Sequence, residues 1–142
     1  MIVLINGSRE FNNYALLEEK CYEILSPYIE KGDKIVIREG GARGADTLAG
    51  RFALENNFNI EIYEADWSKL GKKAGFIRNI EMVEGSRGGQ PADILISFNM
   101  GTPGTIHTIN YMRSKYPKMQ QLKELCNKIV EGVNRPPNSL PI

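Results

Sequence analysis

Ile35-Val36-Ile37-Arg38-Glu39-Gly40-Gly41-Ala42-Arg43-Gly44-Ala45-Asp46-Thr47-Leu48-Ala49 reads as a strand, a glycine turn and a helix in immediate succession. The apolar run Ile35 to Ile37 predicts a buried strand, and beyond the loop Ala45, Leu48, Ala49, Phe52 and Ala53 recur at helical spacing until Asn56-Asn57 ends the pattern. The same grammar recurs on either side. Ile2 to Ile5 leads into Gly7-Ser8-Arg9, and Ile94 to Ser97 leads into Gly101-Thr102-Pro103-Gly104-Thr105. With these runs parallel in one sheet, all of the loops emerge on its carboxyl edge, and residues far apart in sequence converge on one ligand.

Glycine suits such loops because a residue without Cβ lets backbone N–H groups approach an anion and tolerates positive φ. A helix that starts there adds partial positive charge. Two standard phosphate motifs are nevertheless excluded. A P-loop needs lysine and Ser/Thr after its last glycine, whereas Gly44 is followed by Ala45-Asp46; a dinucleotide fingerprint needs glycine where Glu39 stands, and this loop follows the second strand.

The remaining elements fit an α/β alternation. A helix is predicted from about Tyr14, with Leu17, Cys21, Ile24, Leu25 and Tyr28 on one face and Pro27 marking its last turn or a kink. Ile60 to Tyr63 is a further strand, Ala74 to Glu84 a helix with Phe76, Ile80 and Val83 on one side, Gly85 to Pro91 a loop, and a last helix of the alternation runs to about Ser114. Leu122, Leu125, Cys126, Ile129, Val130 and Val133 are spaced as an amphipathic helix, expected to cover the sheet or to form a homo-oligomer interface. The expectation is a Rossmann-like three-layer parallel sheet of four to five strands flanked by helices, in one domain over 1–134, with a proline-rich extended tail over 135–142.

Composition narrows the function classes. Hydrophobic residues make up 42% and charged residues 25%, and Lys+Arg 18 against Asp+Glu 17 leaves no cationic field for sequence-independent nucleic-acid binding. Met1 to Ile5 is too short for a signal segment and no run approaches a membrane span, so a cytoplasmic protein is expected. Cys21 and Cys126 form no CxxC pair, and both fall on apolar stripes, as buried free thiols in a reducing compartment do. With one histidine, His107, there is no basis for a metal site, and no resident cofactor is implied.

Arg9 and Arg43 sit inside glycine turns where no helix face needs them, which suits them to a phosphate; Ser8, Thr102 and Thr105 add hydroxyls, and Gly7, Gly40, Gly41, Gly44, Gly101 and Gly104 their backbone. Asp46 and Asp66 are the candidate catalytic carboxylates, able to hold a ribose hydroxyl or activate water. Asp46 is equally explained as a first-turn residue favoured by the helix dipole. Glu39 carries the same ambiguity. Trp67 suits stacking on a base, capping the pocket wall or plain packing.

Taken in order, Gly7-Ser8-Arg9 with Phe11, Gly40-Gly41-Ala42-Arg43-Gly44-Ala45-Asp46, Ala65-Asp66-Trp67, Lys72, Ala74-Gly75 with Arg78-Asn79 and Met82, and Gly104-Thr105 resemble the YspA-like branch of the SLOG superfamily, the Rossmann-like group that includes the DprA/Smf and LOG proteins. The resemblance runs from residue 7 to about 105. It implies a pocket for a nucleotide or a nucleotide-derived, ADP-ribose-like molecule, adds Lys72, Arg78 and Asn79 to the ligand set, and covers both enzymes and ligand sensors. The LOG phosphoribohydrolases use an arginine, which Arg78 matches, and a glutamate, where this chain has Thr108. A threonine hydroxyl supplies neither charge for an oxocarbenium-like ribose nor a general base. The expectations are therefore a sensor or sequestering protein first, a nucleotide N-glycosidase relying on Asp46 or Asp66 second, and a DNA-associated module like the DprA relatives third, which the near-neutral charge disfavours.

Overall fold

Strand β1 (Ile2–Gly7) runs through the middle of the sheet, and its apolar side chains are buried on both faces. The computed structural model describes residues 1–116, 120–125 and 129–133. β1 pairs in parallel with β2 (Val36–Glu39) on one side and β4 (Ile94–Phe98) on the other, and β2 pairs in parallel with β3 (Asn59–Ile62). The parallel strands thus lie in the order β3-β2-β1-β4. The chain steps outward from β1 to β3 and then crosses back beside β1, so the loops after β1 and β4 part at a switch point, where Rossmann-like folds open a crevice.

The two-residue period of the strands divides the core between two helical layers. Val3, Ile5, Ile37, Ile94 and Ile96 pack with α1 (Tyr14–Lys31) and α2 (Ala45–Glu55), through Leu17, Cys21, Leu25, Ala49 and Phe52. Ile2, Leu4 and Leu95 pack with α4 (Ala74–Glu84) and α5 (Pro103–Lys115), through Met82, Val83, Ile109 and Met112. Local signals set the ends of α1. The Asn13 side chain accepts from Leu16 N, and Gly32 stops the helix at φ 89°, a conformation glycine adopts without a Cβ penalty. A short α3 (Trp67–Leu70) and a 3₁₀ turn (Gly71–Lys73) lead into α4.

Two expectations are corrected. The region read as an amphipathic helix from Leu122 to Val133 is a pair of strands, β5 (Gln120–Leu125) and β6 (Ile129–Val133). β6 adds antiparallel to β4, with Ile94 opposite Val133 and Phe98 opposite Ile129, and β5 adds antiparallel to β6. The open edge of β4 supplies a backbone ladder that helical spacing does not register, and the β-branched pair Ile129-Val130 suits it. The homo-oligomer interface expected of a C-terminal helix therefore loses its element. Cys126 and the proline-rich tail lie outside the described residues.

The second correction concerns α4. Its inward face carries Ala74, Arg78, Asn79, Met82 and Val83, and Phe76 is 45% exposed rather than packed beneath Val83. A charged side chain turns inward here because backbone carbonyls receive it.

Candidate functional site

Three loops meet above the carboxyl edge of the sheet, and hydrogen bonds fix their approach. Ser8 carbonyl accepts from Ala45 N at 3.1 Å and from Phe11 N at 3.2 Å, joining the loop after β1 to the start of α2. Phe11 is buried with its ring centroid 4.9 Å from that of Phe98, which anchors the same loop to β4. Glycine is obligatory where these loops touch. A Cβ on Gly44 would lie 2.5 Å from Arg9 carbonyl oxygen, at φ +79°. One on Gly7 would lie 2.7 Å from Ala45 Cβ.

Between the loops lies a cleft of about 370 Å³, within the size range of small-molecule sites. Of the residues singled out from sequence, Gly7, Ser8, Arg9, Arg43, Asp46, Trp67, Lys72, Arg78, Asn79, Thr102, Gly104 and Thr105 line it. Gly40 and Gly41 line an adjoining hollow. Gly44, Gly101 and Asp66 line neither. Gly44 makes the loop-to-loop contact described above. Asp66 caps α3, its Oδ1 accepting from Lys69 N at 3.1 Å and from Ser68 Oγ at 2.9 Å.

Arg78 organises the floor. Its Nη1 donates to Gly40 carbonyl and, at 3.4 Å, to Tyr63 carbonyl, while Nε donates to Asn79 Oδ1 at 3.0 Å. Asn79 Nδ2 in turn reaches Gly104 carbonyl at 3.3 Å, tying α4 to the start of α5. Gly40 has to be glycine for this arrangement, since a Cβ would sit 2.7 Å from Arg78 Nη1 and 2.8 Å from Asp46 Oδ2. Burial lowers the pKa of Arg78, and the neighbouring Asp46 opposes that shift. The guanidinium stays charged, as arginine does in proteins.

Asp46 is 7% exposed at the cleft wall. Burial pushes its carboxyl up to about 6, against the opposing pull of Ala42 N–H, Arg78, Gly40 N–H and Arg9. Burial likewise pushes Glu39, just beneath, up to about 7; Gly41 N–H and Arg78 oppose the rise, and Asp46 and Glu64 add to it. These carboxylates consume the amides of the second loop. Gly41 N donates to Glu39, and Ala42 N to Asp46 Oδ2 at 3.2 Å. Ala45 N is taken by Ser8, so this loop presents side chains rather than those N–H groups.

The start of α5 is different. Its N-cap, Thr102, makes no capping bond to the helix, because its hydroxyl is 2.9 Å from the Thr105 hydroxyl. Among the described residues, nothing caps the first-turn amides at Gly104 and Thr105, and both residues line the cleft. Such a helix start is an anion site in waiting. Arg9, Arg43, Lys72 and Arg78 against Glu10 and Asp46 leave the lining two charges positive when both carboxyls are ionised. Arg43 pairs with Glu10 at 2.8 Å, both side chains being more than 70% exposed, and such a surface pair is easily exchanged for a ligand.

Several lining residues escaped the sequence reading. Asn6 accepts from Ser97 Oγ at the end of β1, and Ala42, Glu10 and Phe76 complete the wall. Phe76 had a signal, its helical position, but that signal pointed inward. Thr108 is buried and donates to Gly104 carbonyl at 3.2 Å, one helical turn back. His107 does not line the cleft; its ring stands edge-on to Phe76 at 4.6 Å, and burial lowers its pKa. Among the described residues, no group of three or more His, Cys, Asp or Glu side chains could hold a metal, and no helix is long and apolar enough to cross a membrane.

The parallel strands in the order β3-β2-β1-β4, with glycine loops around their switch-point crevice, define a Rossmann-like fold. The family model described as YspA, cpYpsA-related SLOG family matches residues 1–70. The Gene 61 protein of Mycobacterium phage D29 is 42% identical over 113 residues, covering 74% of this chain and 82% of that protein. The chain belongs to the YspA, cpYpsA-related SLOG family, whose superfamily generally binds nucleotide-derived ligands. No solved structure matches it.

Proposed function

We propose that the protein captures a phosphorylated nucleotide or nucleotide derivative intact, as a sensor or sequestering protein. The observation that carries this reading is the uncapped start of α5 opening into a cleft that also holds Arg9 and Arg78. Phosphate oxygens accept from first-turn amides and from guanidinium groups, and both donor types are charge-assisted or dipole-assisted here. Phe76, Met82 and the Trp67 ring give the same cleft an apolar wall for a base. Capture without cleavage is favoured because Thr108 is buried and engaged with its own helix, leaving no glutamate at that position.

Asp46 supports a second reading. A buried carboxyl raised to about 6 at the cleft wall is poised as a general acid or base, so N-glycosidic hydrolysis would fall to Asp46. Asp66, engaged in capping α3, is less suited. Titration calorimetry with nucleosides and their mono-, di- and triphosphates tests the main reading. Phosphorylated forms are expected to bind and the nucleosides to bind far more weakly; equal affinity for both would overturn it.

A further inference from the structure

The two-residue period places Asn6 on the face of β1 that carries Ile2 and Leu4, and Ser97 on the face of β4 that carries Leu95. The sheet register sets Asn6 and Ser97 directly opposite each other. An apolar layer therefore turns polar at one level, on two adjacent strands, at their carboxyl ends. Both side chains are buried, Asn6 at 6% exposure and Ser97 at 0%. Apolar residues suit a central strand better, so packing does not call for this pair, and Asn6 lines the cleft. Ser97 Oγ donates to the Asn6 amide oxygen. Asn6 Nδ2 has no hydrogen-bond partner among the described residues and is not sealed from solvent, so it opens on the cleft. The same holds for Arg78 Nη2, because Nη1 and Nε make that side chain's bonds to Gly40, Tyr63 and Asn79. Both atoms donate and neither accepts. A group seated against them and the first-turn amides of α5 has to offer acceptors on several sides, as a phosphate does.

Resting on the nucleotide-site reading above, we propose that Asn6 reads the phosphate: its amide nitrogen donates to a phosphate oxygen, and Ser97 is the positioning residue that holds the amide oxygen away from the anion. Without the Ser97 hydroxyl the amide is free to turn its oxygen toward the phosphate, exchanging a donor for a repelling lone pair. The pair is buried, so the bond to the anion forms where water competes poorly.

Titration calorimetry of ADP and UDP, with urea unfolding alongside, tests the assignment on the wild type and its variants. Asn6→Leu/Ser97→Ala removes both partners and restores an apolar layer, so its unfolding midpoint is expected to stay level or rise. Both nucleotides are expected to bind it about tenfold more weakly, the size of one hydrogen bond to a charged group. Ser97→Ala alone is expected to weaken both nucleotides as well, whereas Ser97→Thr, which keeps the hydroxyl, binds them as the wild type does. Wild-type affinity in the double variant or in Ser97→Ala, or a threonine variant of unchanged midpoint that binds no better than the alanine one, would overturn the assignment and leave the nucleotide site standing. A loss confined to one of the two nucleotides would place Asn6 against the base and overturn the phosphate contact. Failure of both nucleotides to bind the wild type would overturn the nucleotide-site reading along with the assignment.

Discussion

Replacing Asp46 by asparagine should stabilise the protein at neutral pH, because this carboxylate is held at a cost to the fold. Its side chain is 7% exposed, and burial lifts the carboxyl from the ordinary 3.8 to about 6 despite Arg78, Arg9 and two backbone N–H groups. A carboxyl whose pKa is raised by folding binds its proton more tightly in the native state than in the unfolded chain. The contribution of this one carboxyl to stability is therefore fully present below pH 3.8 and is lost as pH rises through about 6. The size follows from the same two values, about 3 kcal/mol in all at 1.36 kcal/mol per pH unit. Asparagine resembles the protonated acid in shape and carries no charge, so at pH 7.5 Asp46→Asn gains up to about 3 kcal/mol, less whatever its amide nitrogen loses in a site built of donors. Near pH 4 the gain should vanish. Urea unfolding of both proteins at the two pH values measures it, urea being uncharged and leaving the electrostatics intact. A variant less stable than the wild type at pH 7.5, or a difference that does not change with pH, would refute the argument. A stability gain paired with altered ligand affinity would mark Asp46 as retained for function.

Arg9 makes no hydrogen bond among the described residues and is exposed, its part in the fold being its pull on the Asp46 charge, so Arg9→Ala should lower the unfolding midpoint only slightly at neutral pH while weakening a phosphorylated ligand by about 1.5–3 kcal/mol; calorimetry and urea unfolding read the two effects separately. Gly44→Ala should destabilise the protein by about 1–3 kcal/mol or more from positive φ alone, with the clash against the Arg9 carbonyl added and visible as a lower urea midpoint. Affinity for an anionic ligand should rise as pH falls through about 6, since Asp46 loses its charge beside the anion. ADP-ribose is the fitting probe, because its diphosphate diester does not titrate there, and the rise should be absent in Asp46→Asn.

The parallel sheet was legible because β1, β2 and β4 are short apolar runs followed by glycine loops and β3 is an alternating run, and because α2 opens directly after its loop with a clean spacing of Ala45, Ala49, Phe52 and Ala53. Those signals are local. The strands at Gln120–Leu125 and Ile129–Val133 were not legible, because their apolar positions also fit a helix and the deciding partner, the edge of β4, lies some thirty residues away in the chain. Phe76 misled for a related reason. Periodicity assigns apolar residues inward, yet here Arg78 and Asn79 take the inward face of α4, compensated by carbonyls of Gly40, Tyr63 and Gly104 that only the folded chain brings near. Gly40 and Gly44 were recognisable as turn residues. That one makes room for a guanidinium and the other for a neighbouring loop depends on contacts across the sheet edge. Likewise, Asp46 and Asp66 look alike in sequence, each preceding or opening a helix, and only the fold separates a carboxyl at the cleft wall from one spent on a cap.

Native mass spectrometry of the protein mixed with nucleoside mono-, di- and triphosphates, cyclic nucleotides and ADP-ribose derivatives tests the central claim most directly, because it weighs whatever the cleft retains. The account predicts an adduct with the mass of an intact phosphorylated ligand, with the free ligand pool undiminished after prolonged incubation. A bound ribose-phosphate fragment, release of free base, or no adduct from any member of the panel would contradict it.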